Sequence, residues 1–186
     1  LGTGEQAHHH ALAMLEVRTI SEIRIWGRTA AKVEALCQAL SQETGTPVNA
    51  CSSVEDAVSG ADIICTVTAA RDPILPVSCV KPGAHINLVG SSFDGPREIN
   101  DDLVEASRFF ADSSASVRAQ GAEFRHALKA GAVDETHLIG EIGEVILGKI
   151  AGRLRADDVT IYNSLGHIIQ DIAAAAFIFE KARAGT

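Results

Sequence analysis

This chain of 186 residues has no surplus of positive charge, no apolar run of membrane-spanning length, no Cys-x-x-Cys pair, and no strand ahead of its first glycine turn. A formal net charge of −8 argues against nucleic acid or an anionic membrane surface as partner. No apolar run reaches the roughly 18 residues that a membrane span needs, and no secretory leader is legible. Cys37, Cys51, Cys65 and Cys79 are evenly spaced, but their neighbourhoods share nothing. They read as free thiols of a reducing cytoplasm, not as a metal site or a disulfide framework. His8-His9-His10 cannot converge on one ion, because consecutive helical residues point about 100° apart. With 46% hydrophobic and 22% charged residues, the composition is that of one globular domain.

The chain does carry a glycine turn, Gly2-Thr3-Gly4-Glu5-Gln6-Ala7, which fits G-x-G-x-x-G/A. In that motif the first glycine makes the tight turn and the second admits a pyrophosphate to the backbone. The small third residue lets the helix pack on the sheet. Alone the turn is common in α/β proteins without a cofactor. Downstream, Ile23-Arg24-Ile25-Trp26-Gly27-Arg28-Thr29 forms the strand whose end chooses between dinucleotides, and no acid follows it before Glu34. A guanidinium and a hydroxyl, Arg28 and Thr29, suit a ribose 2′-phosphate where an NAD site would place a carboxylate. The two features stand at the spacing of one βαβ unit, and the expected cofactor is NADP(H) in preference to NAD(H). The motif requires a strand before it and only Leu1 precedes Gly2, so the chain reads as a piece of something longer.

Periodicity predicts helices over residues 5–18, 29–43 and 53–58, and strands over 22–27, 48–51, 61–68, 85–90 and 108–112. Residues 121–130 and 138–147 read as helical, 159–164 as a late strand, and 166–183 as one long helix. The fold class is α/β, a doubly wound Rossmann-type parallel sheet. Residues 1–163 form an NADP-binding domain lacking its first strand, and residues 164–186 form the C-terminal helix. Ile168, Ile169, Ile172, Ala173, Ala176, Phe177 and Phe179 cover so wide an arc that this helix must pack against another domain or subunit.

The chain resembles the ornithine cyclodeaminase/μ-crystallin family. The resemblance rests on the glycine turn, Trp26-Gly27-Arg28-Thr29, Ala61-Asp62-Ile63-Ile64 with Thr66 and Thr68, and Lys81-Pro82-Gly83-Ala84-His85-Ile86-Asn87. It continues through Arg97-Glu98, Gly140-Glu141-Ile142-Gly143-Glu144-Val145 and Ser164-Leu165-Gly166-His167-Ile168-Ile169-Gln170-Asp171, in the family's order. The resemblance implies that the C-terminal helix returns to a smaller N-terminal dimerisation domain carrying the basic residues for the substrate carboxylate. It implies a cytoplasmic homodimer acting on a small cyclic imine or amino acid. It also implies a cofactor site of Gly2, Thr3, Gly4, Glu5, Gln6, Arg28, Thr29, Thr66, Thr68, Val89, Gly90, Ser164 and Leu165. In that site Thr66 and Thr68 line the ribose, Val89 and Gly90 back the nicotinamide, and Ser164 and Leu165 meet its amide.

One position speaks to chemistry. Cyclodeaminases place an Asp just after the Val-Gly that ends the strand equivalent to 85–90. Aligned without gaps on Arg97-Glu98, that position falls on Ser92, a hydroxyl that cannot handle the amine protons of ornithine. The expectation is therefore NADPH-dependent reduction of a cyclic ketimine carboxylate. Ser92 is the substrate-side candidate and Asp94, two residues on, the alternative. Ornithine cyclodeamination and a non-catalytic, crystallin-like NADPH-binding role are the competing readings. No metal is expected: His137, Glu141 and Glu144 fall at helical spacing but read as capping or solvated residues.

Overall fold

Strands and helices alternate along most of the chain, except that β4 follows β3 without an α-helix and α6 follows α5 without a strand. The computed structural model describes residues 1–90, 93 and 95–185. After α1 (Glu5–Val17) come β1 (Ile23–Ile25), α2 (Ala30–Thr44), β2 (Val48–Ala50), α3 (Val54–Val58) and β3 (Ile63–Thr66). Then follow β4 (His85–Leu88), α4 (Asp101–Glu105), β5 (Ser107–Ala111), α5 (Ser114–Gln120) and α6 (Ala122–Ala130). The last elements are β6 (Leu138–Glu141), α7 (Ile142–Ile146), β7 (Val159–Asn163) and α8 (Ile168–Ala184). Local chemistry sets several boundaries. Ser53 caps α3 by accepting the Asp56 N–H, and Gly45, at φ 68°, ends α2 in the left-handed conformation.

All strand pairings are parallel, but they form two sheets. One joins β1 to β2; the other has the order β3-β4-β7-β5-β6. Leu1 and Gly2 run between them. The Val67 N–H donates to the Leu1 carbonyl at 3.0 Å, and the Gly2 N–H donates to the Trp26 carbonyl at 2.9 Å. A cavity of about 320 Å³ opens beside this contact, lined in part by Met14, Ile23, Ile25, Ile63 and Cys65. The larger core lies on the five-stranded sheet, where Phe109 and Phe124 are fully enclosed with ring centroids 5.5 Å apart. Side chains of that kind contribute roughly 1.5–3 kcal/mol each on burial. A smaller cluster, Ile25, Val33, Cys37 and Leu40, holds α2 to β1.

The helix expected over residues 138–147 is instead a strand followed by a single helical turn. Leu138–Glu141 pairs with β5 as the sheet's edge, and the Glu141 N–H is capped by the Glu144 carboxylate, which starts α7 at Ile142. The long C-terminal helix is present and has no buried residue; Ile168, Ile169, Ile172, Phe177, Ile178 and Phe179 are 55–70% exposed.

His85 opens β4 half-buried, its Nδ1 2.8 Å from Thr160 Oγ1. Burial holds its pKa below the ordinary 6.5; a hydrogen bond with Asn87 opposes that and the charge of Arg153 reinforces it. The unfolded chain therefore binds the proton more readily than the folded one. Stability should be flat above neutrality and be lost as pH falls below about 6.5 toward the folded pKa. Urea titrations of the full-length protein at pH 7.5 and 5.5 check this. Wild type should lose more stability over that interval than His85→Gln, and equal losses would refute the assignment.

Candidate active site

The strands of the large sheet end at one level. Register pairs Thr66 with Leu88, Leu88 with Asn163, Asn163 with Ala111, and Ala111 with Glu141. The residues just beyond continue the ladder: Val89 N–H donates to Thr66 O, Ser164 N–H to Leu88 O, and Asp112 N–H to Asn163 O, all within 3.1 Å. From Leu1-Gly2 the chain first builds β1 and β2 to one side and then β3 and β4 to the other. The carboxyl edge of such a reversal is where α/β sheets open a binding crevice.

The glycine turn occupies that reversal. Gly2 is buried at φ 123°, and a Cβ there would stand 2.7 Å from the Val67 carbonyl oxygen. Only glycine fits. Gly4 is the opposite case: it is exposed, its φ is −93°, and a Cβ there would meet nothing within 4 Å. Its glycine is not required by the protein's own packing, so the space above it is available to a ligand. Gly4 is the N-cap of α1 without a side-chain cap, and Glu5 and Gln6 lie exposed in the first turn. The first-turn amides of a helix have no intrahelical acceptor and suit an anion. Thr3 packs against Gly27, where a Cβ would come within 2.5 Å of its Cγ2, locking the turn to the end of β1.

Arg28 and Thr29 are exposed at that end, beside the first residues of α2. Thr29 holds the N-cap position of α2 but its side chain makes no cap hydrogen bond. Arg28 enters no ion pair among the described residues, so both donors are uncommitted. The turn, the helix end and this corner lie together and could hold an anionic, dinucleotide-like ligand. Asp94 and Ser92 lie outside the described residues.

Across the crevice, Thr68 is half-buried and Thr66 fully enclosed, its Oγ1 without a hydrogen-bond partner among the described residues. Gly90, at φ 68°, turns the chain after β4. Leu165 packs on the large core, and the Gly166 N–H beside it donates to the Asp112 carboxylate at 2.7 Å. His137, Glu141 and Glu144 are each committed to backbone groups: His137 Nε2 to Val104 O, Glu141 Oε1 to Ser114 N–H, and Glu144 to Glu141 N–H. Residues that pattern reading passed over are Glu98, Glu123 and Asn163, all buried under the β3 and β4 tips. Glu98 was legible only as part of a motif, and Glu123 had no signal.

Comparison with known proteins agrees with this geometry. The profile of the ornithine cyclodeaminase/mu-crystallin family matches residues 1–186. Ketimine reductase mu-crystallin of Mus musculus is 36% identical over 185 residues, covering 100% of this chain and 55% of that protein. Ornithine cyclodeaminase of Brucella suis is 33% identical over 183 residues, covering 97% of this chain and 49% of that one. Among solved structures, Thermococcus litoralis Δ1-pyrroline-2-carboxylate reductase in complex with NADH and L-proline superposes with a TM-score of 0.94 at 27% identity. That match covers 99% of this chain and 57% of the other. The chain thus spans about half the length of the relatives it matches.

Proposed function

The chain belongs to the ornithine cyclodeaminase/mu-crystallin family, and from that premise we propose that it forms the dinucleotide half of an NADPH-dependent reductase of cyclic ketimine carboxylates. The observation that carries the reading is the contrast between Gly2, which the fold itself demands, and Gly4, which only a ligand lying against the helix end would demand. A bound nicotinamide would supply hydride to the imine carbon. The imine enters protonated and is already electrophilic, so the product is a neutral secondary amine and no protein acid has to act at that carbon.

The chain's own residues bind and orient. The α1 N-terminus takes the pyrophosphate, Arg28 and Thr29 the 2′-phosphate, and Thr66 and Thr68 the ribose side. Val89 and Gly90 back the reactive ring, and Ser164 and Leu165 bound its amide. Such fixed alignment is where the rate gain lies. Ser92 is the substrate-side candidate on the sequence alignment alone. The substrate carboxylate is held by basic residues of a partner domain, which the apolar α8 joins in a homodimer; six of its large side chains are exposed in this chain.

The test uses full-length protein. Pyrroline-2-carboxylate or piperideine-2-carboxylate should drive oxidation of NADPH, and ornithine should release no ammonia. Ammonia release at a comparable rate would overturn the reductase in favour of a cyclodeaminase, with Asp94 as its acid. NADPH binding with neither reaction would mark a binding protein.

A further inference from the structure

Glu98 and Glu123 are enclosed carboxylates, 2% and 0% exposed, directly beneath the crevice. Glu98 enters no ion pair among the described residues. Its carboxylate receives hydrogen-bond donors instead: Oε1 accepts from the Thr68 N–H and the Thr68 hydroxyl, both at 2.6 Å, and Oε2 accepts from the Gly90 N–H at 2.9 Å. The Thr68 Oγ1 itself accepts from the Ala70 N–H at 3.2 Å, which leaves its proton for Glu98. Both oxygens of the Glu98 carboxylate are therefore occupied as acceptors.

The two ends of this contact matter. Thr68 lies two residues beyond β3 and Gly90 two residues beyond β4. One carboxylate therefore joins the tips of two neighbouring strands on the same side of the crevice. Glu98 is held in turn: its N–H donates to Glu123 Oε1 at 3.0 Å, and its carbonyl accepts from the Ile74 and Leu75 N–H groups. Gly90 rests on Glu123 and Asn163, since a Cβ there would stand 2.8 Å from Glu123 Oε2 and 3.2 Å from Asn163 Nδ2.

We propose that Glu98 is a positioning residue: its buried carboxylate fixes the spacing of the Thr68 and Gly90 tips, and thereby the orientation of the nicotinamide half of the cofactor. The proposal rests on the reading that this crevice holds the dinucleotide. A carboxylate is required because an amide offers one acceptor oxygen. If that oxygen serves Thr68, the amide NH₂ faces the Gly90 N–H; if it serves Gly90, the NH₂ faces the Thr68 N–H. Either way one tip is released.

The experiment compares full-length wild type with Glu98→Gln. NADPH affinity is read by fluorescence titration, independently of turnover, and steady-state reduction of a cyclic ketimine carboxylate is followed at saturating NADPH. Kd for NADPH should rise about tenfold or more, the cost of one charge-assisted hydrogen bond. kcat should fall by a similar factor, while the KM for the imine stays within about twofold, because the substrate carboxylate is held elsewhere. Val104→Ala truncates the core at a fully enclosed site on α4 that makes no side-chain hydrogen bond to Glu98. It should lower the melting temperature and leave Kd and kcat unchanged.

A Glu98→Gln protein with wild-type Kd and kcat overturns the proposal, as does a Val104→Ala protein with the same losses in both. If Glu98→Gln does not fold, Glu98→Asp decides. It keeps both acceptor oxygens but draws them back by one methylene from Thr68 and Gly90; it should raise Kd about threefold or more, and an unchanged Kd overturns the proposal. Failure of wild type to bind NADPH overturns the dinucleotide reading itself. Wild-type binding with an indifferent Glu98→Gln overturns the positioning role alone.

Discussion

Alanine at Gly4 should cost the full-length protein no more than about 1 kcal/mol of stability, the difference between glycine and alanine at an N-cap, and lower its affinity for NADPH by roughly 100-fold, about two charge-assisted hydrogen bonds between pyrophosphate and helix amides. Alanine at Gly2 should do something different. At φ 123° an alanine is strained, and its Cβ would lie 2.7 Å from the Val67 carbonyl, a backbone atom that cannot swing away. Strain and overpacking together cost roughly 2–5 kcal/mol, a large part of the stability of an ordinary domain. The two substitutions separate the fold's need for glycine from the ligand's. Calorimetry of apo protein and an NADPH titration on the same samples provide the check. A Gly4→Ala protein that binds normally would remove the main support for a dinucleotide at this helix end.

Arg28→Ala should weaken NADPH binding by roughly 10- to 150-fold, the worth of one charged contact at about 1.5–3 kcal/mol, and should barely change NADH binding. Arg28 is exposed and the nearest acid after it in sequence is Glu34, so the side chain has no structural duty whose loss would confuse the result. Parallel titrations with both cofactors read the difference directly. If NADPH affinity hardly moves, the 2′-phosphate is not recognised at this corner and the preference for NADP(H) fails.

Patterns confined to one element were legible in the sequence; features that depend on neighbours were not. The glycine turn, the strand expected over 22–27 and the apolar run over 61–68 each carry their own signal, and the structure forms shorter strands inside them, Ile23–Ile25 and Ile63–Thr66. The segment 138–147 misled because Gly140-Glu141-Ile142-Gly143-Glu144-Val145 has a helical spacing of apolar and acidic residues. Leu138–Glu141 becomes a strand because β5 offers it an open edge, which no local pattern encodes. Glu98 illustrates the same limit at the site. A glutamate in sequence is most often a surface charge, and only the convergence of Thr68 and Gly90 on it reveals a buried carboxylate that joins two strand ends. The sheet order is likewise non-local, since β7 lies between strands that precede it by dozens of residues.

That order has a consequence for how the protein is made. On the ribosome β4, β5 and β6 emerge before β7, yet β4 and β5 are not each other's neighbours: Val159–Asn163 must be inserted between them. Until it arrives, β3-β4 and β5-β6 are two separate ribbons, each presenting an unpaired edge toward the other. Those edges carry Ile86, Leu88, Phe109 and Ala111, all fully enclosed in the finished fold. The nascent chain therefore passes through a long interval in which it exposes adhesive strands. A chain ending upstream of Val159 lacks the strand that joins β4 to β5, so it yields not a smaller domain but two ribbons with unpaired edges.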